Sequence, residues 1–335
     1  MRSKSIASQG GYNTFVRTTI ALLLILFLVP KTLAAEIATK AVYTNFAENL
    51  RRAKNSTKFG SRVVVAVVDT GIDPEHEFLK PLLWKGPKGT YGWNFAENKA
   101  DCTDTHGHGT HIAGIVAMSG SANIQIMPIK FFSASVSGAV NLANTIKALN
   151  FAVDNDVRII NYSGGGPEYS ELEYQALKRA ESKGILVVAA AGNDHHNTDM
   201  EAYRYYPAAY ELKGLTNMIT VASINPENQM LSSSNWGTRT VDIAAPGDSV
   251  LSSIPGSRYG RMTGTSQATA FVTGTASMIL SVNPELTPIQ VKQIIIDSAR
   301  FAPQANRFTK SNSVLDPEGA VKYMILKRKP LRIAR

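Results

Sequence analysis

Arg62 to Asp69 reads Arg-Val-Val-Val-Ala-Val-Val-Asp, apolar throughout between its two charged ends. A strand wet on one face alternates apolar and polar residues. A continuous run is what a strand covered on both faces requires, and such strands belong to parallel sheets sheathed by helices. Similar runs recur at 124–130, 157–163, 184–191, 218–222 and 240–244. Between them, 138–154 and 169–182 have the length and pattern of crossover helices. Alternating strands and helices predict an α/β domain around an open, mostly parallel sheet. Two later helical stretches, 267–280 and 288–299, follow each other across a Pro/Asn-marked turn and are expected to cap the domain rather than extend its sheet.

A chain of 335 residues with 44% hydrophobic and 18% charged residues can bury a sizeable core, and one large domain is expected. Residues 1–35 have the form of a signal peptide. The apolar run Ile20–Val29 follows Arg2, Lys4 and Arg17 and precedes the small residues around Ala34 and Ala35. That places the protein outside the cytoplasm, secreted or periplasmic, or held at the membrane by the same run if it is not cut. Residues 36–60 form a short N-terminal arm with one helix-like stretch, 61–321 the main domain, and 322–335 a basic tail. Of the 35 Lys and Arg, four lie in 1–35 and six in 322–335, neither segment holding an acid, so 25 remain against 26 acidic residues. The basic balance therefore belongs to the ends. It offers a membrane contact through the tail or N-terminal segment, and gives no case for nucleic acid. A single cysteine, Cys102, rules out an intrachain disulfide; it is either a buried, inert side chain or a thiol open to reagents six residues before His108.

Functional groups in open α/β sheets gather where strands run out into loops. Asp69 ends the first strand, before Thr70-Gly71, where it is a candidate acid or simply a turn former. His108, between Gly107 and Gly109, leads into an apolar helix-like stretch and has room for a neighbour and a ligand. With His106 and His111 it also suggests a metal, but the spacing matches no established zinc pattern, and no metal is expected. Ser266, after Gly264-Thr265 and at the head of a helix pattern, is an N-cap or a nucleophile. A helix N-terminus there supplies N–H groups suited to an oxyanion. Asn193, in Ala191-Gly192-Asn193, ends another strand as a turn residue or an oxyanion donor.

Val-Val-Asp-Thr-Gly-Ile at 67–72, His-Gly-Thr-His-Ile-Ala-Gly at 108–114, Ala-Ala-Gly-Asn at 190–193 and Gly-Thr-Ser-Gln-Ala at 264–268 occur in the order of the subtilisin-like serine peptidases, and the chain resembles that family over 61–324. Residues 232–237 and 241–247 add two family-like segments. The resemblance implies a three-layer α/β sandwich with a seven-stranded, mostly parallel sheet. It implies Asp69 as orienting acid, His108 as base and then acid, Ser266 as nucleophile and Asn193 as oxyanion donor. It implies a peptide or protein substrate laid as a strand beside Ser163, Gly164 and Gly165, with Asp194 and Tyr205 at the primary pocket. Gly164 stands where a larger apolar residue is common, which should widen the pocket for an outer substrate side chain. A monomer is expected, and no required cofactor: the connection Gly120–Asn123 is shorter than the family's calcium loop, which leaves calcium open only at other places. The arm is too short for the family's folding-assisting propeptide. After the nucleophile, Gln267, Ala270 and Phe271 replace the usual Met, Pro and His, so the start of the serine helix is expected to relax. The alternatives are a catalytically silent domain of this fold used for binding, and a metal protein built on the three histidines.

Overall fold

The computed structural model describes residues 45–155 and 157–328. The segment read as a signal peptide, residues 36–44 of the arm and residues 329–335 of the tail lie outside the described residues. The chain divides into 1–47, of which only 45–47 are described, and a compact unit from Glu48 onward.

In chain order the elements are helix α1 (45–55), β1 (Val63–Asp69), β2 (Trp93–Asn94), α2 (His108–Ser119), β3 (Ile124–Lys130) and α3 (Gly138–Asp154). β4 (Ile159–Tyr162), α4 (Glu171–Ser182), β5 (Leu186–Ala190), β6 (Met218–Ile224) and β7 (Ile243–Pro246) follow. A hairpin of β8 (Val250–Ile254) and β9 (Arg258–Met262), then α5 (Thr265–Val282), α6 (Pro288–Asp297), β10 (Arg300–Phe301), β11 (Ser313–Val314) and α7 (Pro317–Arg328) complete it. Starts are chemically marked. Ser137 and Ser170 cap α3 and α4 by accepting the N–H of Val140 and Glu173, and Thr287 with Gln290 closes a capping box on α6. α7 runs through 321, so the boundary drawn there from sequence falls inside a helix.

One sheet has the order β10-β11-β7-β6-β5-β4-β1-β3-β2, parallel at every pair except β10–β11. The sheet has nine strands rather than seven; β2, β10 and β11 at its edges are two residues each, too short to carry a periodic pattern. β1 is buried at every residue, as the uninterrupted Val run requires. Val64, Ala66 and Val68 pack with Leu149 of α3 and Leu177 of α4 in one core layer. Val65 and Val67 alternate to the other face, where α2 and α5 lie. β1 sits between β3 and β4, so the chain leaves it in opposite directions and opens a crevice at its carboxyl end.

The expectation that 267–280 caps the domain is corrected. Every residue of α5 from Thr265 to Ser281 is buried, and the helix packs against β4, β5, β6, β7 and α2. It tolerates this because its side chains are small and its hydroxyls bond back along the helix, as from Thr269 to the Thr265 carbonyl at 2.8 Å and from Thr275 to that of Phe271 at 3.0 Å. The helix is unbroken across Ala270 and Phe271. α2 crosses it closely: a Cβ on Gly274 would lie 2.0 Å from Ser119 Oγ and 2.8 Å from the Ser119 carbonyl carbon. Gly274→Ala is therefore expected to destabilise by about 1–3 kcal/mol, the scale of overpacking a dense core. In urea melts the midpoint should fall with an unchanged slope.

Candidate active site

The carboxyl ends of β1, β4 and β5 bring the site together. Asp69 is the last residue of β1, Ser163 directly follows β4, and Asn193 lies just beyond β5. His108 opens α2 and Ser266 is the second residue of α5, so two helix N-termini face this edge.

Asp69 is buried, and its Oδ1 accepts from the Thr70 N–H at 2.7 Å and from His108 Nδ1 at 2.7 Å. A proton on Nδ1 leaves Nε2 as the acceptor. Burial disfavours the charged imidazole and is the largest single influence on it. The Asp69 carboxylate, by charge and hydrogen bond, and the charge of Asp104 together outweigh it, so the His108 pKa is raised above its ordinary value.

Asp104 escaped attention in the sequence. It is buried and gathers five donors: the N–H groups of His106, Gly107 and Thr110 at 2.9, 2.8 and 2.9 Å, and the hydroxyls of Thr110 and Thr70 at 2.7 and 3.0 Å. Burial alone would push its carboxyl up, but these donors hold it below the usual value. Thr70 Oγ1 in turn accepts the Gly109 N–H at 2.8 Å, so one network ties the end of β1 to the start of α2. Its only local signal is an Asp two residues before the His-Gly-His run. In Asp104→Asn the His108 imidazole is expected to titrate at lower pH than in wild type, because a charge that raises its pKa is gone. An NMR titration of the His108 ring protons measures this.

The three histidines part company. His111 is fully buried, its Nε2 within 3.0 Å of the Val250 carbonyl and 3.2 Å of that of Gly260, and burial lowers its pKa. His106 meets His108 and Phe132 edge-on at the surface. Among the described residues, His, Cys, Asp and Glu side chains form no group of three suited to a metal ion. Cys102 is buried, its thiol pushed up to about 12 by burial, which makes it inert to thiol reagents in the folded protein.

Ser266 Oγ donates to the Ser163 carbonyl at 3.1 Å, and Ser163 Oγ donates to the Ser266 carbonyl at 3.4 Å. Gly264, the residue before α5, has φ 157° and ψ 174°, a region nearly closed to other residues. Thr265 links the helix to β5: its N–H donates to Asn193 Oδ1 at 2.9 Å, and its hydroxyl accepts the Gly192 N–H at 3.3 Å. Asn193 is exposed, its oxygen spent on Thr265, and its amide N–H₂ has no partner among the described residues. The Asn side chain is thus oriented as a donor.

A cavity of about 750 Å³ runs from His108 past Ser163 and Gly164 to Phe131 and Tyr162. A Cβ on Gly164 would lie 3.2 Å from each of these two rings, so a larger residue there would have to push them aside. Glu173 closes its inner end, buried and accepting from the hydroxyls of Tyr162 and Tyr210 at 2.7 and 2.8 Å. A second cavity of about 470 Å³ holds Asp194, Arg204 and His196 in its wall. Asp194 Oδ2 accepts from Asn235 Nδ2 at 3.2 Å, so its charge is partly engaged. Asn235, in one of the family-like segments, holds this loop by accepting the N–H of Asp194 and His196 at 3.0 and 2.9 Å.

Residues 60–320 match the family model described as "Subtilase family". The chain is 34% identical over 266 residues to the thermophilic serine proteinase of Bacillus sp. (strain AK1), a match covering 77% of this chain and 60% of that protein. It is 33% identical over 248 residues to subtilisin DY of Bacillus licheniformis, covering 72% of this chain and 84% of that one. With the major intracellular serine protease of Bacillus subtilis (strain 168) it shares 34% over 239 residues, 68% and 70% of the two chains. Among solved structures, a cold adapted subtilisin-like serine proteinase superposes with a TM-score of 0.64 at 28% identity, covering 78% of this chain and 89% of that one.

Proposed function

The chain belongs to the subtilase family of serine proteases, and from that premise we propose that it is an exported endopeptidase that cuts peptide bonds with Asp69, His108 and Ser266 through an acyl-enzyme. The observation that carries the proposal is the 2.7 Å bond between Asp69 Oδ1 and His108 Nδ1, which leaves Nε2 free to take a proton at the edge where Ser266 sits.

At rest the Ser266 hydroxyl is occupied by the Ser163 carbonyl. A peptide that adds as a strand beside Ser163, Gly164 and Gly165 presents N–H donors to those carbonyls. Its N–H on Ser163 displaces the hydroxyl, which turns to His108 Nε2 and gives up its proton as Oγ attacks the peptide carbonyl. Asp69 stays ionised, fixes the tautomer and stabilises the imidazolium. The Asn193 amide and the Ser266 N–H hold the oxyanion; removing such a side-chain donor from the subtilisins costs about 10²–10³ in kcat. His108 then protonates the leaving amine, and water, activated by the same imidazole, releases the acyl group.

No cofactor enters these steps. The short connection Gly120–Asn123 carries no carboxylate, and Asn123 uses its amide as a donor to the carbonyls of Phe59 and Gly60, which does not suit a calcium ion. Export rests on the apolar run at 20–29 and its basic flank; among the described residues no helix is long and apolar enough to cross a membrane. The test is a fluorophosphonate probe on the full chain. Labelling that disappears in Ser266→Ala is the expected result; an unlabelled wild type, beside a labelled subtilisin control, would refute the enzyme reading and favour a silent binding domain.

A further inference from the structure

Two backbone segments wall the place where the reacting residue of a substrate must lie. Ser163–Gly165 binds its strand on one side, and Gly192–Asn193 approaches its carbonyl oxygen on the other. Between these walls lies the ring of Tyr205. A Cβ on Gly165 would be 2.6 Å from Tyr205 Cε1 and 3.0 Å from Cζ, while one on Gly192 would be 3.0 Å from both Cε2 and Cζ. One edge of the ring faces each glycine, and neither side has space for a methyl group. The ring is fixed from behind, because Tyr206 pairs with Gly166 through two backbone bonds of 2.8 and 2.9 Å. Tyr205 borders both cavities, together with Gly165, Gly166 and Pro167. Tyr205 is half-buried, and its phenol is pushed up to about 12, first by burial and then by the charges of Asp194 and Glu173.

In the strand pairing proposed above, the residue whose carbonyl Ser266 attacks would turn its side chain toward the gap that Tyr205 occupies between Gly165 and Gly192. We propose that Tyr205 determines specificity by closing this slot, so that the enzyme cleaves after glycine, alanine or serine and takes larger side chains only farther along the strand, in the cavity beyond Gly164. This rests on the serine peptidase reading above. It also removes the case for Asp194 as a selector of basic residues at this position, since the side chain that would meet it is excluded.

The test uses the full chain and peptides that differ only in the residue before the scissile bond. Wild type is expected to show kcat/KM for Ala at least about 10-fold above Leu and Phe, the scale on which pocket size discriminates. Tyr205→Gly is expected to shift the Phe-to-Ala ratio at least about 10-fold toward Phe by removing the obstruction. Equal or faster cleavage after Leu or Phe by wild type overturns the proposal, as does an unchanged ratio in a folded Tyr205→Gly. Should that variant not fold, peptide aldehydes on wild type decide: an alanine aldehyde should inhibit more tightly than its phenylalanine counterpart, and the reverse order refutes the closed slot. Fluorophosphonate labelling separates the two readings. A labelled enzyme that prefers large residues sinks only the slot, whereas an unlabelled, inactive protein sinks the peptidase reading and the slot with it.

Discussion

Replacing Ser266 by alanine is expected to lower kcat by about 10⁶, the scale that loss of the nucleophile reaches in the subtilisins. What remains is the modest acceleration left by oxyanion donors and substrate positioning, about 10³–10⁴ over water. Stability should hardly change, because the hydroxyl's single bond is to the Ser163 carbonyl, which keeps the Ser163 Oγ contact nearby and sits at a solvent-reachable edge. A thermal melt superimposing on wild type, beside a collapsed turnover rate, separates chemistry from folding. Equal activity in the two proteins would mean that another group is the nucleophile.

The second large effect is expected from Asp69→Asn, a fall in kcat of about 10⁴. The amide keeps the size of the carboxylate but not its charge, so the imidazolium formed during attack loses its partner, and an amide N–H₂ turned toward His108 selects the wrong tautomer. The charge also has a pH signature. Because Asp69 raises the His108 pKa, the protonated imidazole is worth more in the folded than the unfolded protein. That contribution is fully present below the ordinary histidine value of about 6.5 and fades as pH rises through the raised folded pKa. The variant should therefore lose melting temperature relative to wild type at pH 5 and approach it at pH 9. A deficit independent of pH would point to packing rather than charge.

How much of this could be read from the chain follows from how local each signal is. β1 with its terminal Asp69, and the turns around His108 and Ser266, are written in consecutive residues, because strand burial, left-handed glycines and helix starts are short-range properties. The layer that α5 occupies was not legible: periodicity marks a helix, whereas burial on all sides depends on what surrounds it. The hairpin β8–β9 had a cue in Pro255-Gly256 between two short alternating runs. Its role was hidden, because only the fold places its carbonyls on His111 and the Gly256 N–H on Asp73 at 2.8 Å. Asp104 and the ring position of Tyr205 depend on segments far apart in sequence; a polar residue in a loop and a Tyr before a Tyr-Pro pair announce neither.

The burial of α5 bears on how the enzyme fails. Segments that open independently are those with exposed backbone and few apolar contacts, while central helices exchange their amide hydrogens only when the whole fold opens. Ser266 rides on such a helix, enclosed from Thr265 to Ser281, and Thr265 ties its first turn to β5. The amides of α5 should be among the slowest to exchange. On heating, proteolytic activity and native structure should then disappear in a single step, since Ser266 has no way to leave its place while the protein remains folded.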